Sequence, residues 1–124
     1  SIKKSHEGKT IILDVWGTSC PPCLKDFSNS HGIKKELIAQ DVAIVYLCAG
    51  RSSKPDKWHQ IVKEMELVGD HVYLDRQSTS LFMDKYGFKN YPNYVVIDKK
   101  GNENPKMIRG VASINVEQFI QKMQ

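Results

Sequence analysis

No stretch of this chain approaches the ~20 consecutive apolar residues a helix needs to cross a bilayer, so the sequence predicts no such span. Cysteine is scarce: three in 124 residues, an odd number and too few for a scaffold of staples, in a chain long enough to bury a real core without them. Only Cys20 and Cys23 stand at Cys-x-x-Cys spacing, and His6, His31, His59 and His71 fall at no ligand spacing. A structural zinc site takes four ligands, usually from two such pairs, so metal is not expected. Charge of one sign is not concentrated either. The formal charge is +4, but the lysines are scattered and no element interleaves basic with aromatic residues, which argues against a nucleic-acid surface. Repeats, low-complexity tracts and internal linkers are absent. With 40% hydrophobic and 26% charged residues, residues 1–124 read as one ordinary globular domain. The polar start, Ser1 to Gly8, runs almost directly into a strand, as in a domain cut from a longer chain.

What is present is an alternation of short apolar runs and amphipathic segments. Thr10–Trp16 (TIILDVW) and Val42–Ala49 (VAIVYLCA) are β-branched and apolar, hence buried strands. Between them, residues 21–40 carry helical spacing with a bend near His31-Gly32. Residues 55–67 form an amphipathic helix, Val72–Leu74 a short strand, and Ser78 opens a helix that Gly87 closes. Tyr94–Asp98 is a strand, Lys99–Asn102 a hairpin turn, and Lys106–Gly110 its partner strand. Asn115 caps a last helix. The fold class is α/β: a mixed central sheet, its first two strands parallel by a right-handed crossover, with helices on both faces.

The chemistry centres on WGTSCPPCLKDF, residues 16–27. A disulfide between Cys20 and Cys23 would close a tiny loop and so stabilise little. What such a bond does well is exchange. At a helix start, Cys20 meets the positive end of the helix dipole and the Cys23 N–H, both of which favour thiolate, the nucleophilic form. Cys23, deeper in the first turn, is placed to resolve a mixed disulfide formed on Cys20. Pro21 and Pro22 have no N–H to offer the sulfur, which predicts a moderately lowered Cys20 pKa.

These residues carry a resemblance. GKTIILDVWGTSCPPC and YGFKNYPNYVVIDKKG together resemble the thioredoxin superfamily, and within it the bacterial extracytoplasmic thiol-disulfide oxidoreductases of the TlpA/ResA type. The resemblance implies a thioredoxin fold with a TlpA-type helix-strand insert at about 51–75 and a cis Pro92. It implies Cys20 as nucleophile, Cys23 as resolving thiol, and Asp14 and Asp26 as proton carriers. Tyr91 and Pro92, with Trp16, Ser19 and Pro21, form the partner-binding ground. No cofactor is required, because the disulfide is the redox group. The partners implied are protein thiols and disulfides, with a membrane electron donor, for a monomer in the periplasm or cell envelope tethered through a missing N-terminal segment. Ser19 stands where the family usually has tryptophan, and Ser28 where a helix-kinking proline is common. The competing reading is a binding module that holds partners on apolar ground around Trp16 and Pro92 without turnover. Peroxide reduction ranks lower, because no threonine-x-x-cysteine pocket is present. Cys48 reads as packing, and Lys25 as a solvated lysine able to brace a thiolate.

Overall fold

The computed structural model describes residues 2–124, with Ser52 described by its backbone alone. Ser1 lies outside the described residues, and the segment after it forms a one-turn helix, α1 (Ile2–Ser5). The order continues β1 (Ile11–Trp16), α2 (Pro21–Asn29), α3 (His31–Ala39), β2 (Ala43–Ala49), α4 (Pro55–Glu64), β3 (Asp70–Leu74), α5 (Arg76–Tyr86), β4 (Asn93–Ile97), β5 (Glu103–Pro105) and α6 (Val116–Met123). One five-stranded sheet has the order β3-β2-β1-β4-β5. β1 pairs parallel with β2 and antiparallel with β4, so it is the central strand.

That position explains why every residue of β1 is buried. Alternation then sorts its side chains. Ile11, Leu13 and Val15 join Met83 of α5 and Phe88 in one core. Ile12, Asp14 and Trp16 face the other side, where Trp16 packs with Cys23, Phe27 and Ile61, and Ile12 with Leu37 and Phe119. Helices therefore cover both faces, as the pattern predicts.

Several boundaries differ from the expected ones, among them the helix expected over 55–67, which ends at Glu64. The helix expected over 21–40 is two helices, broken at Ser30, whose N–H reaches back to Phe27 O while its own carbonyl receives Lys34 N–H at 2.8 Å. α5 starts at Arg76 because Asp75, not Ser78, is its cap, with Oδ1 accepting from Ser78 N–H at 2.7 Å. β3 begins at Asp70, two residues before Val72. The last strand is Glu103–Pro105, not Lys106–Gly110. Asp98 draws the turn tight by accepting from the N–H groups of Lys100 and Asn102, pairing resumes at once with Ile97 opposite Glu103, and Lys106 leaves the sheet with φ 69°. Gly87 ends α5 in the left-handed region, at φ 68°, as expected.

Gly50 is required for a different reason. The chain leaves β2 beside the end of β3, and a Cβ on Gly50 would lie 2.1 Å from the Leu74 carbonyl oxygen. Backbone cannot retreat as a flexible side chain can. Gly50→Ala is expected to cost about 1–3 kcal/mol, read as a lower urea midpoint with unchanged slope.

Candidate active site

β1 stops at Trp16, and residues 17–19 bring Cys20 to the N-terminus of α2 in an extended conformation, φ −118° and ψ 93°. Its sulfur takes the place usually filled by a capping oxygen and accepts a hydrogen bond from Cys23 N–H at 3.2 Å. Pro21 and Pro22 hold the first two helical positions and have no N–H to donate. The two sulfurs are bonded to each other, with the Cα atoms 5.3 Å apart. Cys20 keeps 8% of its surface and Cys23 none, so an incoming sulfur meets Cys20 first. Ser19 and Pro21 are exposed beside it.

Trp16 is not part of that surface, contrary to the expectation from sequence. It is 0% exposed and sits under the cysteines, its ring edge-on to Phe27 at 5.0 Å between centroids. The central strand runs on through residue 16, opposite Cys48 of β2, which leaves the indole no route to solvent. The exposed apolar ground needed by a binding module around Trp16 does not exist.

On the same face of β1, Asp14 is fully buried, and among the described residues no group donates a hydrogen bond to either of its oxygens. Desolvation pushes its carboxyl up from 3.8 to about 7; Lys34 opposes this and Asp26 adds to it. Lys34 is the buried neighbour of Asp14 that sequence reasoning missed. Only 4% exposed, its ammonium lies 4.0 Å from Asp14 Oδ2 and 4.6 Å from the ring centroids of both Phe27 and Tyr46. Burial lowers its pKa, and the Asp14 charge works against that. A signal was available: Lys34 stands three residues before buried Leu37 and four after buried Ser30, on the inner stripe of its helix. A lysine there, facing a strand with a lone carboxylate, indicates a buried pair.

Asp26 is half-buried and already engaged. Its Oδ2 accepts from the Tyr94 hydroxyl at 3.0 Å and Val111 N–H at 3.2 Å, and its Oδ1 from Ala112 N–H at 3.0 Å. Burial pushes the Tyr94 hydroxyl up, which keeps it a donor. The carboxylate thus ties α2 to the single helical turn Val111–Ser113, satisfying two N–H groups that a turn's start leaves open. Asp26→Ala is expected to destabilise by about 2–4 kcal/mol, measured by urea unfolding. If Asp26 served only to carry protons, the variant would unfold like the parent and lose exchange rate alone.

The Tyr91–Pro92 peptide bond is cis, as the resemblance implies. Both residues are partly buried at the edge of the site, and the Tyr91 hydroxyl receives a hydrogen bond from Arg51 Nη2 at 3.4 Å. Cys48 is wholly buried, and burial pushes its thiol up to about 11, so it stays a thiol at neutral pH and packs.

A family model described as thioredoxin-like matches residues 8–103. The chain belongs to the thioredoxin-like family. It is 25% identical over 115 residues to the thiol-disulfide oxidoreductase ResA of Halalkalibacterium halodurans, covering 93% of this chain and 62% of that protein. It is 30% identical over 114 residues to ResA of Bacillus subtilis, covering 92% and 59%. The chain thus spans about three-fifths of the length of these curated relatives. Among solved structures, the thioredoxin domain of a thiol-disulfide oxidoreductase from Bacteroides vulgatus superposes with TM-score 0.80 at 16% identity, covering 98% of this chain and 84% of that one. The thioredoxin-like fold expected from the sequence is therefore the fold found. The stretch 51–75, where the insert was expected, holds α4 and β3.

Proposed function

We propose that this thioredoxin-like chain is a thiol-disulfide oxidoreductase that exchanges Cys20–Cys23 with the disulfides of partner proteins. The observation that carries the reading is the bonded cysteine pair at the mouth of α2, Cys20 keeping an exposed edge and Cys23 none, in a fold whose central strand buries a carboxyl that desolvation pushes up to about 7. The relatives named thiol-disulfide oxidoreductase support it.

In the reducing direction the Cys20 thiolate attacks one sulfur of a partner disulfide. A Cys20–partner bond forms, and the second partner sulfur leaves as thiolate and takes a proton. Cys23 then gives its proton to the Asp14 carboxylate and attacks Cys20. The Cys20–Cys23 bond forms, and the first partner sulfur leaves and is protonated. The partner gains two electrons and two protons, and the dithiol is oxidised. A dithiol donor of matching class must reduce the pair for the next turn. Lys34 keeps the Asp14 anion tolerable in the core. Asp26 holds the neighbouring turn, and its charge raises the Asp14 proton affinity, so the proton-carrying part falls to Asp14 alone. Tyr91 and Pro92, with Ser19 and Pro21, border the entry of the partner.

The reading extends, on the ResA resemblance, to a reductant acting as a monomer outside the cytoplasm and re-reduced by a membrane donor. Among the described residues no helix is long and apolar enough to cross a membrane. Thiol titration in graded dithiol/disulfide buffers tests the core of the proposal. A reversible two-electron change confined to Cys20 and Cys23 is expected, together with cysteine-dependent reduction of insulin. A pair that stays oxidised or reduced across the whole range would sink it.

A further inference from the structure

Pro22, which stands between the two cysteines in the chain, lines a groove of about 440 Å³ together with Lys25 and Asn29 of α2 and with Tyr91, Pro92 and Arg109. Its charge is uneven. Lys25 and Arg109 are exposed, and the structure gives neither an ion pair nor a hydrogen bond among the described residues. The one carboxylate in the groove, Asp26, has both oxygens bonded to Tyr94, Val111 and Ala112 and forms no ion pair with either cation, so its single charge offsets only part of theirs. A third cation, Arg51, stands at the far side of Tyr91, bonded to its hydroxyl. A segment entering to present a cysteine to Cys20 therefore passes two exposed cations against one inward-held carboxylate, a rim of net positive charge.

We propose that this groove selects partner segments that carry acidic side chains within a few residues of the exchanging cysteine. The inference rests on the exchange activity proposed above and specifies its substrate class. The physical ground is charge complementarity: rim charges act mainly on encounter and on choice of partner, and exposed charges are screened by salt. Lysine and arginine both reach well past the groove rim on flexible stems, so the preference is for net negative charge near the cysteine rather than for one fixed carboxylate position.

The test uses three short peptides, each with one cysteine, flanked by glutamates, by serines or by lysines, and each oxidised to its own symmetric disulfide. Reduced protein is mixed with each, and release of peptide thiol is followed. The rate for each peptide is divided by its rate with dithiothreitol, which removes differences in intrinsic reactivity. The expected order is acidic, then neutral, then basic, with about tenfold between acidic and neutral at low salt, shrinking toward unity near 1 M salt as the screening length falls to about 3 Å. The double variant Lys25→Gln with Arg109→Gln is expected to bring the acidic-to-neutral ratio close to one. Equal normalised rates for the three peptides, or an acidic preference that the double variant and salt leave intact, would overturn the assignment. Failure to reduce even the neutral peptide would instead overturn the exchange activity, so the two failures are told apart.

Discussion

Replacing Cys23 by serine is expected to stop turnover while leaving Cys20 able to bond a partner. Insulin reduction should fall at least about a thousandfold, and the variant should accumulate a covalent adduct that dithiothreitol releases. Cys20→Ser should be as inactive but form no adduct. The asymmetry follows from the structure: Cys20 caps α2 and keeps a reachable edge, whereas Cys23 has no exposed surface. Removing the inner sulfur leaves the first attack intact and deletes only the nucleophile of the second. Neither variant should unfold the protein, because a bond spanning three residues contributes little loop entropy. Equal adduct yields from both variants would mean that the outer-inner order is wrong.

The second large effect concerns Asp14. Its carboxyl is pushed from 3.8 to about 7 in the folded chain, so between those values the folded state holds a proton that the unfolded state has released. Stability therefore falls as pH rises from about 4 to about 7 and then levels. At about 1.4 kcal/mol per tenfold change in proton affinity, the loss is about 4 kcal/mol. Burial moves Lys34 the other way, so its proton release adds stability only as pH climbs toward the unfolded value of 10.5. The Asp14→Asn variant should show a flat profile between pH 4 and 8 in urea unfolding, and should be the more stable protein at pH 8. Activity should respond with the opposite sign. The second step needs the carboxylate as base, so release of partner from the mixed disulfide should accelerate through about pH 7 and be slowed about a hundredfold or more by Asp14→Asn. Lys34→Met should move both inflections upward, because the cation that favours the Asp14 anion is gone. Profiles that keep their inflection in Asp14→Asn would assign the titration to another group.

Most of the fold was legible because it is local in origin. The β-branched run 11–16, the paired prolines after Cys20, Gly87 and the Asn115 cap each impose a conformation on their own neighbours. The cysteine pair was equally legible, since helix geometry alone puts the Cys23 N–H against the Cys20 sulfur. Where reading of the fold failed, the deciding contacts were short-range polar ones that hydrophobic pattern does not rank, such as Asp75 rather than Ser78 capping α5. The bend expected near His31-Gly32 is a full break at Ser30, and the hairpin partner of β4 moved because Asp98 tightened its turn.

The site divides more sharply. The sequence by itself determined the cysteine pair, the helix that presents it and the buried acid on β1, because each follows from spacing within one element, while the resemblance supplied the proline. Only the tertiary structure decided that Trp16 is sealed beneath the cysteines, that Lys34 comes from α3 to face Asp14, and that Asp26 is spent on Val111 and Ala112, 85 and 86 residues away. Burial and charge pairing belong to what packs against a residue rather than to its neighbours in the chain. The low-dielectric pocket that sets the Asp14 proton affinity exists only once β1, α2 and α3 close around it.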